Sequence, residues 1–212
     1  MDFKCVSADV VLVGSFGSYP FMSPEWLAEH LIKAEAGSQL NININIDSVT
    51  LEPTFTVTVN DMTIEASRRR MIVKHKTFDI ASFGLIEQIV TTIADLLPHT
   101  ACTAMGVNFA FSCLPTEKDR PIVKPIDTLR IDGAFRPLSI SGSYQINDHE
   151  TLNIDIRNPR QEGTSYSANF NFDTKIKMTG MKLPALAIAK NALIDRPISV
   201  RYQECMVILG AN

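Results

Sequence analysis

Apolar and polar residues alternate most regularly over residues 41–47, where three isoleucines are separated by asparagines. A period of two places the isoleucines on one face of an extended chain and the asparagines on the other, as in a half-buried β-strand. The same alternation continues from Phe55 to Val59. Asn60 and Asp61 then predict a two-residue hairpin turn, because both residue types tolerate a positive φ angle. Adjacent antiparallel strands with one apolar face are therefore expected in this part of the chain.

Two later segments change to the period of an α-helix. Apolar residues recur at intervals of three and four over residues 79–97, which predicts an amphipathic helix that ends at Pro98. The same spacing predicts a helix over residues 183–194. For the C-terminal residues we favour a further helix over 196–209, capped by Asp195, although a short strand there is the alternative.

The N-terminal part of the chain predicts a strand, a loop and a helix in that order. Residues 5–17 are rich in valine and end in a glycine-containing loop. Ser23 suits a helix cap, Pro24 suits the first helical position, and Glu25 suits the positive end of the helix dipole. Gly37 is expected to end this helix.

Further alternating segments occur on both sides of the 79–97 helix, and together they favour an α+β fold. These segments lie near residues 62–64, 69–76, 101–111, 138–146, 152–156 and 166–172. We expect an antiparallel sheet, or two related sheets, covered by helices on one side. Each half of the chain resembles a βββα unit with an Asn-Asp turn. Duplication of such a unit and coincidence both remain open explanations.

Prolines mark the boundary between the two halves, at Pro115, Pro121, Pro125 and Pro137. Proline fixes φ and lacks an amide donor, so this stretch is not expected to form a central strand. We therefore divide the chain into residues 1–114, a connector at 115–137, and residues 138–212. The two halves are expected to share one compact domain.

Composition narrows the class of protein. The 212 residues include 20 Lys and Arg against 23 Asp and Glu, and 45% are hydrophobic, which excludes a disordered chain. No apolar run approaches the roughly 18 residues of a membrane-spanning helix, and the N-terminus does not resemble a secretory signal. We therefore expect a cytoplasmic protein without membrane contact. The four scattered cysteines are expected to be reduced core thiols.

A basic stretch is the first candidate for binding chemistry. Arg68, Arg70, Lys74 and Lys76 share one parity of a predicted strand and could form a positive stripe for nucleic acid or another anion. No aromatic residue is interleaved on that face to stack a base. The favoured interpretation is a solvated face, with these charges paired to carboxylates on neighbouring strands. The candidate partners are Glu65, Asp47 and Asp61.

Candidate catalytic chemistry is sparse. Residues 14–18 could cradle an anion, but they lack the lysine of a phosphate-binding loop and are interpreted as a plain strand exit. His99 near Cys102, and His149 between Asp148 and Glu150, are the histidines that could serve a small hydrolase. Neither has the spacing of a metal site, and no cofactor is expected.

The expected function is therefore that of a non-enzymatic subunit that binds another protein or assembles with copies of itself. Several strand faces are polar but almost uncharged, and such faces suit protein contacts or self-association as well as solvent. The residues concerned are Asn41, Asn43, Asn45, Thr54, Thr56, Thr58, Asn169 and Asn171. A nucleic-acid-binding protein that uses the basic stretch, and a histidine-based hydrolase, are the alternatives.

Overall fold

A computed structural model describes residues 3–16, 23–33, 38–49, 51–98, 100–113, 139–157, 166–175 and 185–209. Within these ranges nine antiparallel strands form one sheet, and helices pack against one of its faces. The predicted α+β class, with an antiparallel sheet covered on one side, is therefore confirmed. The 115–137 connector lies outside the described residues. Across the described part of the chain, no helix has the length and apolar character needed to cross a bilayer.

The strands, in chain order, are β1 (Lys4–Gly14), β2 (Leu40–Ile46), β3 (Pro53–Val59), β4 (Met62–Ala66), β5 (Arg70–His75), β6 (Cys102–Cys113), β7 (Ser139–Gln145), β8 (Glu150–Arg157) and β9 (Tyr166–Lys175). The helices are α1 (Pro24–Trp26), which continues directly into a π-helical segment (Leu27–Ile32), then α2 (Ile80–Leu96), α3 (Ala185–Asp195) and α4 (Ile198–Ile208).

The sheet order is β2-β3-β4-β5-β1-β6-β9-β8-β7, and the central pair β1 and β6 joins two sets of strands, β1–β5 and β6–β9. The two sets share one connectivity, although β6 belongs by sequence to the predicted first half, residues 1–114. In each set, a long strand is followed by a three-strand meander whose last strand returns beside the long one, as β5 does to β1 and β9 to β6. The first set carries β2 as an extra edge strand. This common connectivity is compatible with duplication, which stays a prediction.

The core lies between the sheet and the helices. Val10 and Leu12 on β1, and Val107 and Phe109 on β6, are buried on the same face because alternate residues of a strand point the same way. Phe83 of α2 packs edge-on against Phe109, with ring centroids 6.0 Å apart. Edge-to-face contacts of this kind align the positive ring edge with the negative face of its neighbour. Apolar burial on this side is the main contribution to folding.

Helix α2 begins at the place that its sequence signals predict. Asp79 caps it, accepting a hydrogen bond from the Ser82 backbone N–H at 2.8 Å. Ser82 Oγ accepts in return from the Asp79 backbone N–H at 2.9 Å, which completes a capping box. These hydrogen bonds, led by the Ser82 backbone N–H, hold the pKa of Asp79 below its ordinary value.

Two predictions about helix ends are wrong. Asp195 is the last residue of α3, and α4 begins after Pro197, so Asp195 does not cap the C-terminal helix. Proline has a fixed φ and no backbone N–H, which a helix tolerates at its start but not in its interior. Pro197 therefore interrupts the helix between α3 and α4. The N-terminal helix is mostly π-helical and ends at Ile32, where Lys33 adopts a left-handed φ of 53°. Gly37, its predicted stop, lies outside the described residues.

The helices do not extend over the apolar face of β2. Ile42 and Leu40 lie opposite Val57 and Val59, on the helix side of the sheet. Val57 and Val59 are buried, because α1 and the π-helical segment pack on β3. The apolar residues of β2 remain 36–60% exposed. Alternation thus predicted the strand and its two faces correctly, but not the extent of the layer above it.

Two glycines provide a matched test of backbone packing. A Cβ atom at Gly14 would overlap the Ala101 carbonyl oxygen, whereas a Cβ at Gly84 in α2 would meet nothing within 4 Å. Gly14→Ala is therefore expected to lower the free energy of unfolding by about 1–3 kcal/mol. Gly84→Ala should raise it by about 0.5–1 kcal/mol, because alanine restricts the unfolded helix segment. Urea unfolding measures both, and equal effects would contradict the close β1–β6 packing.

Candidate binding surface

A row of side chains crosses the face of the sheet on which none of the described helices packs, which we call the uncovered face. It runs from one edge to the other, with one residue on each strand. Directly opposite residues of antiparallel strands share a face, so the pairing register defines this row. We call it the polar row. In sheet order it consists of Asn41, Thr58, Thr63, Lys74, Asp9, Asn108, Asn171, Asn153 and Ser143.

Hydrogen bonds connect five members of the polar row in one direction. Ser143 Oγ donates to Asn153 Oδ1 at 2.8 Å, and Asn153 Nδ2 donates to Asn171 Oδ1 at 3.4 Å. Asn171 Nδ2 donates in turn to Asn108 Oδ1. Asn108 Nδ2 donates to Asp9 Oδ1 at 2.7 Å. The chain of donors therefore ends on a carboxylate, the group that accepts hydrogen bonds most strongly.

Asp9 lies on the central strand of the sheet, and its carboxylate is the group on which the hydrogen bonds of the polar row end. Burial raises its pKa above the ordinary value of an aspartate, because removal from water disfavours the charged form. The hydrogen bond from Asn108 and the charge of Lys74 oppose this rise, whereas the charge of Glu65 adds to it. Lys74 Nζ in turn donates to Glu65 Oε1 at 2.6 Å.

An open trough of about 880 Å³ lies over the half of this face that β1, β6, β9, β8 and β7 form. Most of its lining groups are amides and hydroxyls, which both donate and accept hydrogen bonds. Its polar side chains are Ser7, Asp9, Asn108, Ser141, Ser143, Asn153, Asp155, Asn169 and Asn171. No Lys, Arg or His is among the described residues that line it. The trough therefore suits neutral polar groups better than polyanions.

The four predicted basic residues do not form one stripe on β5. Arg70 and Lys74 lie on this strand and face the uncovered side, whereas Arg68 lies in the preceding turn and Lys76 beyond the strand end.

Three of these four residues have carboxylate partners. Lys74 pairs with Glu65, as expected from the sequence. Lys76 Nζ lies 3.9 Å from Asp61 Oδ1, which also matches an expected pair. Arg68 lies 3.7 Å from Glu52 rather than beside Asp47. This geometry favours the interpretation of paired, solvated charges.

The backbone amides of the loop after β1 are already used. Gly14, Ser15 and Phe16 donate to the carbonyl oxygens of Arg69, Ala101 and Arg68, respectively. These amides cannot also hold an anion, and the interpretation as a plain strand exit is therefore favoured. The last two loop residues, 17 and 18, lie outside the described residues.

The described histidines lie far apart in local settings of their own. His75 Nδ1 lies 2.9 Å from the Thr77 hydroxyl, and Asp79 is occupied by its helix cap, so these two residues do not form a dyad. The His30 ring contacts Trp26 edge-on at 5.0 Å. His149 is exposed in the β7–β8 turn, and His99 lies outside the described residues.

The cysteines are poor nucleophiles in this environment. Cys102, Cys113 and Cys205 are buried in the core, as expected from the sequence. Burial raises the pKa of the Cys5 and Cys102 thiols to about 11, and it also raises that of Cys205. The thiolate, which is the reactive form, is therefore scarce at neutral pH.

Glu150, which follows His149, belongs to a buried ion cluster rather than to a catalytic group. Arg201, 1% exposed, donates from Nε to Glu150 Oε1 at 2.7 Å, and Arg196 pairs with the other carboxylate oxygen. Arg196 also donates to Glu204 at 2.6 Å. Burial lowers the pKa of Arg201 to about 10, so its guanidinium stays charged at neutral pH. The cluster ties β8 to α3 and α4.

A cavity of about 320 Å³ adjoins this cluster. The hydroxyl of Thr174, opposite Glu150 on β9, is buried there and has no hydrogen-bond partner among the described residues. Three of the charged groups beside it, Glu150, Arg196 and Arg201, are already paired with one another, which favours a structural role for this cavity.

Sequence reasoning identified the polar strand faces but missed the polar row. Polar residues recur at alternate positions of β8, as Asn153 and Asp155, and of β9, as Asn169 and Asn171, and this spacing was the available signal. The row itself depends on which residues face each other across strands that are distant in sequence, such as Asp9 and Asn108. A scan against protein-family models found no match, and a search of curated proteins found no similar sequence.

The raised pKa of Asp9 predicts a pH dependence of stability. The free energy of unfolding that this pKa shift adds is fully present below the ordinary aspartate pKa of about 3.9. It is lost as the pH rises through the higher pKa of the folded state. Relative to Asp9→Asn, the wild type should therefore lose free energy of unfolding over that pH interval. NMR titration of the Asp9 carboxyl carbon should show a midpoint above about 3.9. Asn108→Ala should raise this midpoint further, because it removes the hydrogen bond that lowers the pKa of Asp9. A midpoint at or below the ordinary value would contradict the half-buried position of Asp9.

The ion cluster predicts a large loss of stability when one charge is removed. Glu150→Gln leaves the buried Arg201 without a full negative partner and should lower the free energy of unfolding by about 3–5 kcal/mol. The control is Lys190→Met, which breaks the more exposed pair of Lys190 with Asp95 and should cost at most about 1 kcal/mol. Urea unfolding distinguishes the two. Similar losses in both variants would show that Glu150 is not held by the two arginines.

Proposed function

We propose that this chain is a non-enzymatic binding and assembly subunit that contacts a protein partner through the uncovered face of its sheet. The observation that supports the proposal is the trough over the polar row. It is a concave surface of amide and hydroxyl groups on the side of the sheet away from the helices. A rigid sheet presents these groups with little loss of conformational entropy on binding.

The chemistry of the trough favours a protein surface over other ligands. Asparagine and serine side chains can pair with the N–H and C=O groups of a polypeptide in either direction. The carboxylates of Asp9 and Asp155 add acceptors for basic side chains of a partner. Protein interfaces commonly contain about one hydrogen bond per 100–200 Å², which a surface of this polarity can supply.

The alternatives gain less support from the geometry. Three of the four residues in the basic stretch already pair with carboxylates, and the trough itself carries negative rather than positive side chains. Nucleic-acid binding relies chiefly on unpaired Lys and Arg groups that neutralise phosphates. A hydrolase would need a base beside a nucleophile, whereas His75 and His149 are placed at separate strand ends.

The binding experiment uses the immobilised full chain and nuclease-treated extract from the cells that produce it. Asn169→Arg places a large charge on an exposed position within the trough. Val200→Arg is the matched control on the outer side of α4, where the side chain is 44% exposed. We expect a protein partner that the wild type and Val200→Arg retain equally and that Asn169→Arg retains at least tenfold less.

Two outcomes would contradict the proposal. Equal retention by both variants would remove the uncovered face as the binding surface. Absence of any retained protein, together with a solution mass of one chain, would remove the binding function. A protein that is retained from untreated extract but not from nuclease-treated extract would instead favour the nucleic-acid alternative.

A further inference from the structure

We propose that β2 is the contact between two copies of this chain, paired antiparallel edge to edge about a two-fold axis at Asn43. This self-association is one form of the assembly role proposed above. It uses a different surface from the trough, so each proposal can fail without the other.

The edge of β2 lacks the features that normally keep an exposed strand from pairing. It is the terminal strand of the described sheet order, and all seven of its residues are exposed. Natural edge strands are usually protected by charges, prolines, bulges or a covering element. The segment Leu40–Ile46 contains no Lys, Arg, Asp, Glu or Pro. Its pairing with β3 runs without a register shift over its full length, so the edge is also regular.

The helix side of β2 exposes a row of large apolar side chains to solvent. Four large side chains of β2 are involved, namely Leu40, Ile42, Ile44 and Ile46, which are 36–60% exposed. Contiguous exposed apolar side chains of this kind mark interaction sites. Edge-to-edge pairing would bring the two rows into contact across the axis and remove part of this surface from water.

The sequence of β2 matches itself when reversed. In antiparallel pairing about Asn43, Ile42 meets Ile44 and Leu40 meets Ile46 of the second copy, so the apolar face continues across the axis. On the other face, Asn41 meets Asn45 and Asn43 meets its own copy. This register pairs all seven residues, and it places no like charges opposite each other. A second copy of the chain is therefore the partner that this edge fits best.

The opposite edge of the sheet fits a second copy less well. Strand β7 carries Gly142 at its midpoint, and a glycine inside a strand weakens pairing. Pairing of β2 with β7 of another copy would also be head-to-tail, which generates open chains rather than a closed dimer. Pairing of β2 with β2 closes after two copies.

Light scattering of the full chain at micromolar concentration tests the dimer. The wild type is expected at twice its chain mass of 23.5 kDa, and Ile44→Lys at the mass of one chain. Val207→Lys is the matched control, because Val207 is 68% exposed on α4, and it should remain dimeric. Circular dichroism of each variant verifies the fold. A wild-type mass of one chain, a mass that grows beyond two chains as the concentration rises, or a dimer unaffected by Ile44→Lys would each overturn the proposal.

Cross-linking with a short bismaleimide tests the position of the two-fold axis independently of stability. Asn43→Cys should give a covalent dimer, since the two residues at position 43 would lie directly opposite each other. Tyr144→Cys on β7, where the side chain is 55% exposed and lies outside the trough, is the control for chance contacts, and the wild type reports any background from native thiols. Equal cross-linking of Asn43→Cys and Tyr144→Cys, or none at Asn43→Cys, would overturn the pairing. Because neither experiment involves the trough, their failure would leave the partner-binding proposal to its own test.

Discussion

The antiparallel pairing of β1 with β6 is the interaction on which the rest of the structure depends. These are the two longest strands, with 11 and 12 residues, and they join the two meanders into a single sheet. Val10 meets Val107 on the helix side, whereas Asp9 meets Asn108 on the uncovered side. This register therefore places the centre of the core and the centre of the polar row on opposite faces of the same strand pair. A shift by one residue would exchange the two faces, which makes this register strongly specified.

The two faces of the sheet differ because the helices pack on only one of them. On that side, apolar burial stabilises the fold, and the cluster of Glu150, Arg196 and Arg201 fastens α3 and α4 to β8. On the other side, side-chain hydrogen bonds run across the strands and end at Asp9. Each such bond contributes about 1 kcal/mol or less in net terms, but together they orient the amides. This ordered polar surface is the feature on which the proposed contact with a partner rests.

Much of the fold was predictable because each signal involved is local. Alternation predicted β2 and β3, the pair Asn60 and Asp61 predicted the turn from β3 to β4, and the helical period predicted α2 within one or two residues of its ends. The polar row could not be predicted, since it requires the pairing of Asp9 with Asn108 across 99 positions of sequence. The exposure of β2 escaped prediction for a related reason. Alternation shows that Ile42 and Ile44 share a face, but only tertiary packing determines how far the helices extend over it.

Native-state hydrogen exchange of the full chain tests most directly whether β1 and β6 unite the molecule. If the nine strands act as one sheet, the amides near Val10 and Val107 should exchange most slowly. Slow amides in β4 and in β8 should then open with the same free energy, in the same global unfolding event. An opening that exposes β1, β4 and β5 while β6, β8 and β9 keep their protection would show two independent halves. That result would contradict the central role of the β1–β6 pairing.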